Sequence, residues 1–167
     1  MTSNISTDRI SDKAFKLTLA SLTLQNSVFT SSHSLAETYY SNLHLINGEF
    51  SNLNLWEWGI KPIESNVTIT NCSFFNISSD WSTLAFMEIR KASTINIDKC
   101  NFRHISMPIF IGSVSKFNMR DTVFENMSIQ YEKSFINFYN LASTIQNCSF
   151  TNLKTPGPIL SFKGNTL

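Results

Sequence analysis

Trp56, Glu57 and Trp58 place a carboxylate between two indoles, and a second carboxylate, Glu88, lies two residues before Arg90 and three before Lys91. Two carboxylates facing each other across a sugar ring can act as general acid and base. Indole and phenol rings can stack on the apolar face of a sugar. Glu57 and Glu88 as acid and base, with Trp56, Trp58, Tyr39 and Arg90 as binding residues, therefore form the one site-like constellation in the chain. The same residues also have a plainer reading, in which an outward glutamate pairs with Arg90 and both tryptophans serve packing. His33, His44 and His104 are isolated, and no Ser/His/Asp order suggests a nucleophile system. No C-x-x-C spacing occurs, so neither a metal centre nor a cofactor is expected.

The three cysteines, Cys72, Cys100 and Cys148, occupy one position of a repeat described below. Cys72 and Cys100 fall on consecutive copies, within disulfide reach if those copies are adjacent strands. Alternatively the three are buried thiols acting as small apolar residues. N-x-S/T sequons begin at Asn4, Asn66, Asn71, Asn76, Asn126 and Asn147. Asn71 and Asn147 read as corner residues, which leaves Asn66, Asn4, Asn76 and Asn126 as the expected glycan sites. That count points to an extracellular or cell-surface setting.

Composition narrows the function classes. Charged residues are 15% of the chain and the formal net charge is +1, with no Lys/Arg cluster. The basic stripe of a nucleic-acid binder is missing. No apolar run approaches the ~20 residues that span a bilayer, so this segment is not expected to enter a membrane. The 42% hydrophobic fraction, with 14 phenylalanines, is ample for a core. The polar surface must come from Ser, Thr and Asn.

What could position such a surface is an internal repeat. An alternating apolar run, a polar residue, a small residue, any residue and then Phe recur at Leu22–Phe29, Leu43–Phe50, Val67–Phe74, Ile95–Phe102, Phe117–Phe124 and Ser143–Phe150. Between copies lie further extended segments, at Ala14–Leu19, Thr38–Asn42, Leu55–Ile60, Leu84–Ile89, Pro108–Gly112, Ser134–Tyr139 and Pro158–Lys163. No helical apolar periodicity is present.

In Val67–Phe74 the apolar residues Val67 and Ile69 alternate with threonines and point inward. Asn71 then marks a bend, because Asn tolerates left-handed backbone. The bend column reads Asn26, Asn47, Asn71, Lys99, Asp121, Asn147. The small column after it reads Ser27, Gly48, Cys72, Cys100, Thr122, Cys148. A second polar column, Asn52, Asn76, His104, Asn126, Asn152, reads as another corner. This pattern predicts an all-β chain, one domain over residues 1–167, wound as a right-handed parallel β-helix of about six coils with three short strands per coil. Equivalent residues stack about 4.8 Å apart, so Phe29, Phe50, Phe74, Phe102, Phe124 and Phe150 should form one ladder. A leucine-rich repeat has an overlapping period, but its Asn falls in the wrong place relative to the last apolar residue.

The run I-x-N-C-S-F at Ile69–Phe74 and Ile145–Phe150 resembles coils of the pectate-lyase-like right-handed β-helix superfamily. It is especially similar to Cys/Asn/Phe-rich β-helix surface proteins of single-celled eukaryotes, and more distantly to bacterial polymorphic outer-membrane adhesins. The resemblance covers nearly the whole chain, although five glycines are too few for the paired-Gly motifs of the bacterial adhesins. It implies that the strand face carrying Glu57 and Glu88 is where polysaccharide-cleaving members hold saccharide. The Asp clusters and Arg/Lys sets of those enzymes are not found at matching positions.

Asn4–Asp8 mirrors Asn76–Asp80, Pro156–Gly164 is an inter-copy segment with no copy after it, and Met1–Lys16 has no apolar leader. The expectation is therefore an internal window of a longer solenoid, or a unit that stacks end to end on other coils of the same or an identical chain. The function expected from the residues is a non-catalytic structural or adhesive segment. The alternative is a carbohydrate-active β-helix whose partner is a glycan.

Overall fold

The computed structural model describes residues 14–30, 34–81, 84–130, 133–139 and 142–163, so Asn4 and His33 lie outside the described residues. Among these there are strands and no helix. All strand pairs are parallel, and they wind into a β-solenoid of about six turns with three strand faces.

The first face stacks β1 (Phe15–Thr18), β4 (Ala36–Tyr39), β7 (Ile60–Ile63), β10 (Met87–Asp98), β12 (Phe110–Arg120), β14 (Ile136–Tyr139) and β17 (Leu160–Lys163). The second stacks β2 (Ser21–Gln25), β5 (Asn42–Ile46), β8 (Asn66–Thr70), the C-terminal halves of β10 and β12, and β15 (Ala142–Gln146). The third stacks β3 (Val28–Thr30), β6 (Glu49–Asn54), β9 (Ser73–Ser78), β11 (Asn101–Ile105), β13 (Val123–Ser128) and β16 (Ser149–Lys154).

The phenylalanine ladder is continuous. Successive ring centroids from Phe29 to Phe150 are 5.2, 4.8, 4.7, 5.0 and 4.9 Å apart, with planes within 11° of parallel. The separation follows the strand spacing, so the rings overlap with an offset, the arrangement aromatic pairs favour. Phe86 and Phe110 meet this column edge-on, at 5.0 Å from Phe74 and 5.7 Å from Phe102, and fill the rest of the axis.

Both polar columns turn the chain with left-handed backbone, the first at the corner between the second and third faces and the second at a bend inside the third-face strands. Asn26, Asn47, Asn71, Lys99, Asp121 and Asn147 have φ between 48° and 53°, and Asn52, Asn76, His104, Asn126 and Asn152 between 52° and 54°. Between the second and third faces the corner is always two residues, and its second residue is the small column. That side chain turns in and donates to the carbonyl two residues back: Ser27 to Gln25, Cys72 to Thr70, Cys100 to Asp98, Thr122 to Arg120, Cys148 to Gln146. Size is limiting, since a Cβ on Gly48 would come 2.8 Å from the Phe50 ring.

A third corner, between the first and second faces, repeats the rule with residues that do not advertise it. Leu19, Tyr40, Glu64 and Lys91 are left-handed, with φ from 48° to 51°. Ser41 and Ser65 directly follow Tyr40 and Glu64, Ser93 stands two residues after Lys91, and they donate to the carbonyls of Tyr39, Ile63 and Lys91. Those hydroxyls also accept the N–H of the preceding coil, from Ala20, Ser41 and Ser65 at 3.1–3.2 Å. The corner relaxes at β10 and β12, which run through it as single strands. In β12 the backbone comes so near β10 that a Cβ on Gly112 (φ 139°) would lie 1.9 Å from the Ile89 carbonyl oxygen, so only glycine fits.

The first-face strands depart from the expected segments in one place that matters. Leu55–Ile60 was expected to be extended, yet pairing begins only at Ile60, and 55–59 is a connecting loop. Leu55 is buried and its N–H bonds Ser78, while Gly59 sits where a Cβ would be 2.8 Å from the Phe86 ring and carbonyl oxygen. The strand is Ile60-Lys61-Pro62-Ile63, despite its proline.

Phe74→Ala removes a fully buried ring with stacking partners on both sides, and should cost about 3–5 kcal/mol in denaturant unfolding. Phe150→Ala, half-exposed in the last described coil with one stacking partner, should cost clearly less.

Candidate functional site

The constellation read from the sequence lies around the outer surface of the first face, with different neighbours. Lys16 pairs with Glu37 in register, and Glu37 with Lys61. The matches Met87–Ile60 and Arg90–Ile63 then bring Glu88 opposite Lys61. Most columns of the rod stack like on like. This one alternates sign, because like charges one strand apart repel while opposite charges attract.

Glu57 therefore does not sit on the rung beside Glu88. It is exposed in the 55–59 loop, and the expected pair of carboxylates on adjacent strands is not formed. The reason is the register: the strand starts three residues after Glu57, so Lys61 takes the place next to Glu88.

A chain of contacts crosses the coils. Tyr39 Oη donates to Glu37 Oε1 at 2.8 Å, and Lys61 Nζ lies 3.1 Å from the same oxygen. Glu37 and Lys61 are deeply covered, their side chains 5% and 13% exposed. Lys61 Nζ is 4.0 Å from the centroid of the Trp58 ring, and the Arg90 guanidinium 5.5 Å from it. Arg90 Nη2 bonds Glu88 Oε1 at 3.0 Å. Lys16 stands 5.8 Å from the Tyr39 ring. Trp58 is the hinge of this network. Its backbone carbonyl accepts from Ser34 Oγ at 2.9 Å, which fixes the loop over the face, and its half-buried indole lies against both cations.

Of the residues singled out from sequence, Tyr39, Trp58, Glu88 and Arg90 come together, and Glu37 and Lys61 join them. Glu37 and Lys61 were missed because nothing in sequence tells which residue faces which until register is known. Trp56 stays on the loop, 60% exposed, and Glu57 with it. Chemically the network is a set of mutually neutralised charges around one indole. Glu88 Oε2 is the exception: it is shielded from solvent and accepts no hydrogen bond.

A second surface was not read from sequence. The outward side of the second face forms a shallow groove of about 440 Å³, lined by Thr68, Thr70, Asn96, Asp98, Asn118 and Arg120 among others. Arg120 Nε bonds Asp98 Oδ1 at 2.7 Å, and the Arg120 guanidinium holds the Asp98 carboxyl below the usual aspartate range. Asp98 and Arg120 both stand just before a corner residue, Lys99 and Asp121, and this shared place was the available signal.

The described sequon asparagines Asn66, Asn71, Asn76, Asn126 and Asn147 are all exposed. They belong to amide ladders along the rod: Asn66 Nδ2 donates to Asn42, Asn71 to Asn47, Asn76 to Asn52, Asn147 to Asp121, and Asn152 to Asn126. The three cysteines are free thiols, Cys72 and Cys100 buried and Cys148 half-buried. Among the described residues no cluster of His, Cys, Asp and Glu could hold a metal ion. Among the described residues no helix is long and apolar enough to cross a membrane. No protein-family model, no curated protein and no solved structure matches the chain.

Lys61→Met removes the cation 3.1 Å from the covered Glu37 carboxylate and should lower unfolding free energy by about 3 kcal/mol, measured in urea. Asp98 gives a pH signature. Its carboxyl ionises more readily folded than unfolded, so its stabilisation is full above the unfolded aspartate range and is lost as pH falls through the lower folded value. The melting temperature of the native chain should thus fall more steeply on acidification below about pH 4 than that of Asp98→Asn.

Proposed function

We propose that this chain is a non-catalytic structural or adhesive segment of an extracellular, surface-displayed β-helix that meets its partners along the first face and the loop edge beside it. The observation that carries this reading is the state of the charges on that face. Glu37 is held by Lys61 and Tyr39, Glu88 by Arg90, and both cations rest on Trp58. A general acid needs a carboxyl poised to give up a proton at the right place; carboxylates fixed in ion pairs are better suited to a rigid surface. On the loop edge beside them Trp56 and Trp81 are each about 60% exposed, the kind of aromatic residue that marks contact with a partner, and Tyr40 is exposed at the opposite edge of the face.

The setting and kinship belong to the same proposal. The described sequon asparagines are exposed, as glycans would require. The I-x-N-C-S-F coils support a place near the pectate-lyase-like superfamily and the β-helix surface proteins of single-celled eukaryotes. In the last described coil Ile145, Phe150, Leu153 and Leu160 are half-exposed and Phe162 exposed, on strands with one open edge. Such an edge is a template for a further coil, of this or an identical chain.

One observation favours a second reading, a glycan-binding or glycan-cleaving surface: Glu88 Oε2 lacks a donor, and a rotation of the half-buried carboxylate would offer that oxygen to a sugar hydroxyl. A glycan panel separates the two. Native chain, Glu88→Gln, Glu57→Gln and a Trp56→Ala/Trp81→Ala double variant should all be without turnover, and the double variant should lose at least tenfold in binding to partner surfaces. Cleavage by the native chain that disappears in Glu88→Gln would replace the first reading with the second.

A further inference from the structure

The small column that closes the second corner also brings two thiols together. Ser73 pairs with Asn101, so Cys72 and Cys100 stand on adjacent rungs. In register on adjacent parallel rungs, the two side chains face each other across one strand spacing. Cys100 Sγ also lies 3.6 Å from the Ile69 carbonyl oxygen of the Cys72 coil, so its side chain reaches across the gap between rungs. Both are buried, yet each is one residue from an exposed corner, Asn71 or Lys99. Cys148 has no such partner, because Thr122 occupies the rung between.

We propose that Cys72 and Cys100 are a modification site, a dithiol that closes to a disulfide by exchange with a small-molecule disulfide such as oxidised glutathione. The Cys72 thiolate attacks one glutathione sulfur, and a mixed disulfide forms as glutathione thiolate leaves. The Cys100 thiolate then attacks the Cys72 sulfur, forming the Cys72–Cys100 bond and releasing the second glutathione thiolate. Two electrons pass to glutathione, and the two thiol protons end on the departing thiolates. The order follows from the local bonds. The facing Cys100 thiol, helped by the Gly48 N–H at 3.3 Å from its sulfur, holds the Cys72 thiol below the usual cysteine range and so favours its thiolate, whereas Cys100 is pushed up by the same neighbour and by burial.

The place of the pair gives the bond a consequence. The copies at Cys72 and Cys100 are separated by 28 residues, from Phe74 to Phe102, the widest interval between consecutive ladder phenylalanines. A bridge here closes the longest loop of the rod and so removes the most freedom from the unfolded chain. It also ties together the two coils that supply Lys61 and Trp58 on one side and Glu88 and Arg90 on the other. Closing the dithiol holds these two coils together at the corner between the second and third faces.

The test is to equilibrate the folded chain in glutathione redox buffers, quench by alkylation and map peptides by mass spectrometry. Under oxidising buffer the expected product has lost two hydrogens, links Cys72 to Cys100 and keeps Cys148 alkylated. Its melting temperature should rise by roughly 5–10 °C over the reduced form. Cys100→Thr places in this slot the residue that Thr122 already provides one coil on, so it should fold with the same circular dichroism and show neither link nor shift. Three alkylated thiols in the oxidised, folded native chain would overturn the proposal. So would a link through Cys148.

Discussion

The rod depends on one constraint: adjacent coils are a single strand spacing apart, and in register, so every side chain lies against its counterpart. A residue that packs well on itself is rewarded once per coil; one that does not must be placed where it can escape. Phenylalanine is the best case. Each parallel ring contact contributes roughly 0.5–1.5 kcal/mol beyond the burial itself. The five contacts from Phe29 to Phe150 share one register, so a one-residue slip would turn the rings to the outer side and lose all of them together. Amides follow the same logic on the outside, where each asparagine passes a hydrogen bond to the next. Ionic groups obey it by alternation, which is why lysine and glutamate take turns from Lys16 to Glu88.

Where the chain could be read from residues alone, it was because a residue type had one physical job. Asparagine in the two polar columns announced left-handed backbone, and all eleven residues of those columns adopt it, including the less obvious Lys99, His104 and Asp121. The third corner was illegible for the opposite reason. Leu19, Tyr40, Glu64 and Lys91 are no better suited to left-handed backbone than any ordinary residue, at a cost of roughly 1–2 kcal/mol each. What holds them is not local: the N–H of Leu19 bonds Tyr39 and that of Tyr40 bonds Ile63, one coil away.

The misreading around Trp58 has a similar origin. Aromatic, alternating Leu55–Ile60 looks more like a strand than Ile60–Ile63, whose proline argues against pairing. Tertiary fit reversed the preference, since Gly59 is needed where the chain passes Phe86, and strand pairing can start only beyond it. The error moved Glu57 off the sheet and exchanged a carboxylate pair for an ion-pair network. The individual residues of the surface were thus legible, while their partners were not, because partnership across coils is set by loop lengths that no short motif encodes.

Those loops are distributed unevenly. The corner between the second and third faces is always two residues, whereas the connection from the third face to the next coil ranges from four residues (106–109) to eight (79–86). Most of the slack of the repeat is therefore gathered along a single edge, the one that carries Trp56, Glu57, Trp58 and Trp81, with one extra residue where β10 passes the corner between the first and second faces. Lengthening a connection there costs little, because loop-closure entropy grows only with the logarithm of length. The interior would not register an insertion that leaves the buried residues of these connections, such as Leu55 and Phe86, in place. The rod is thus a scaffold with one editable margin, along which sequence can be inserted, shortened or rewritten coil by coil while the stacked axis keeps its register.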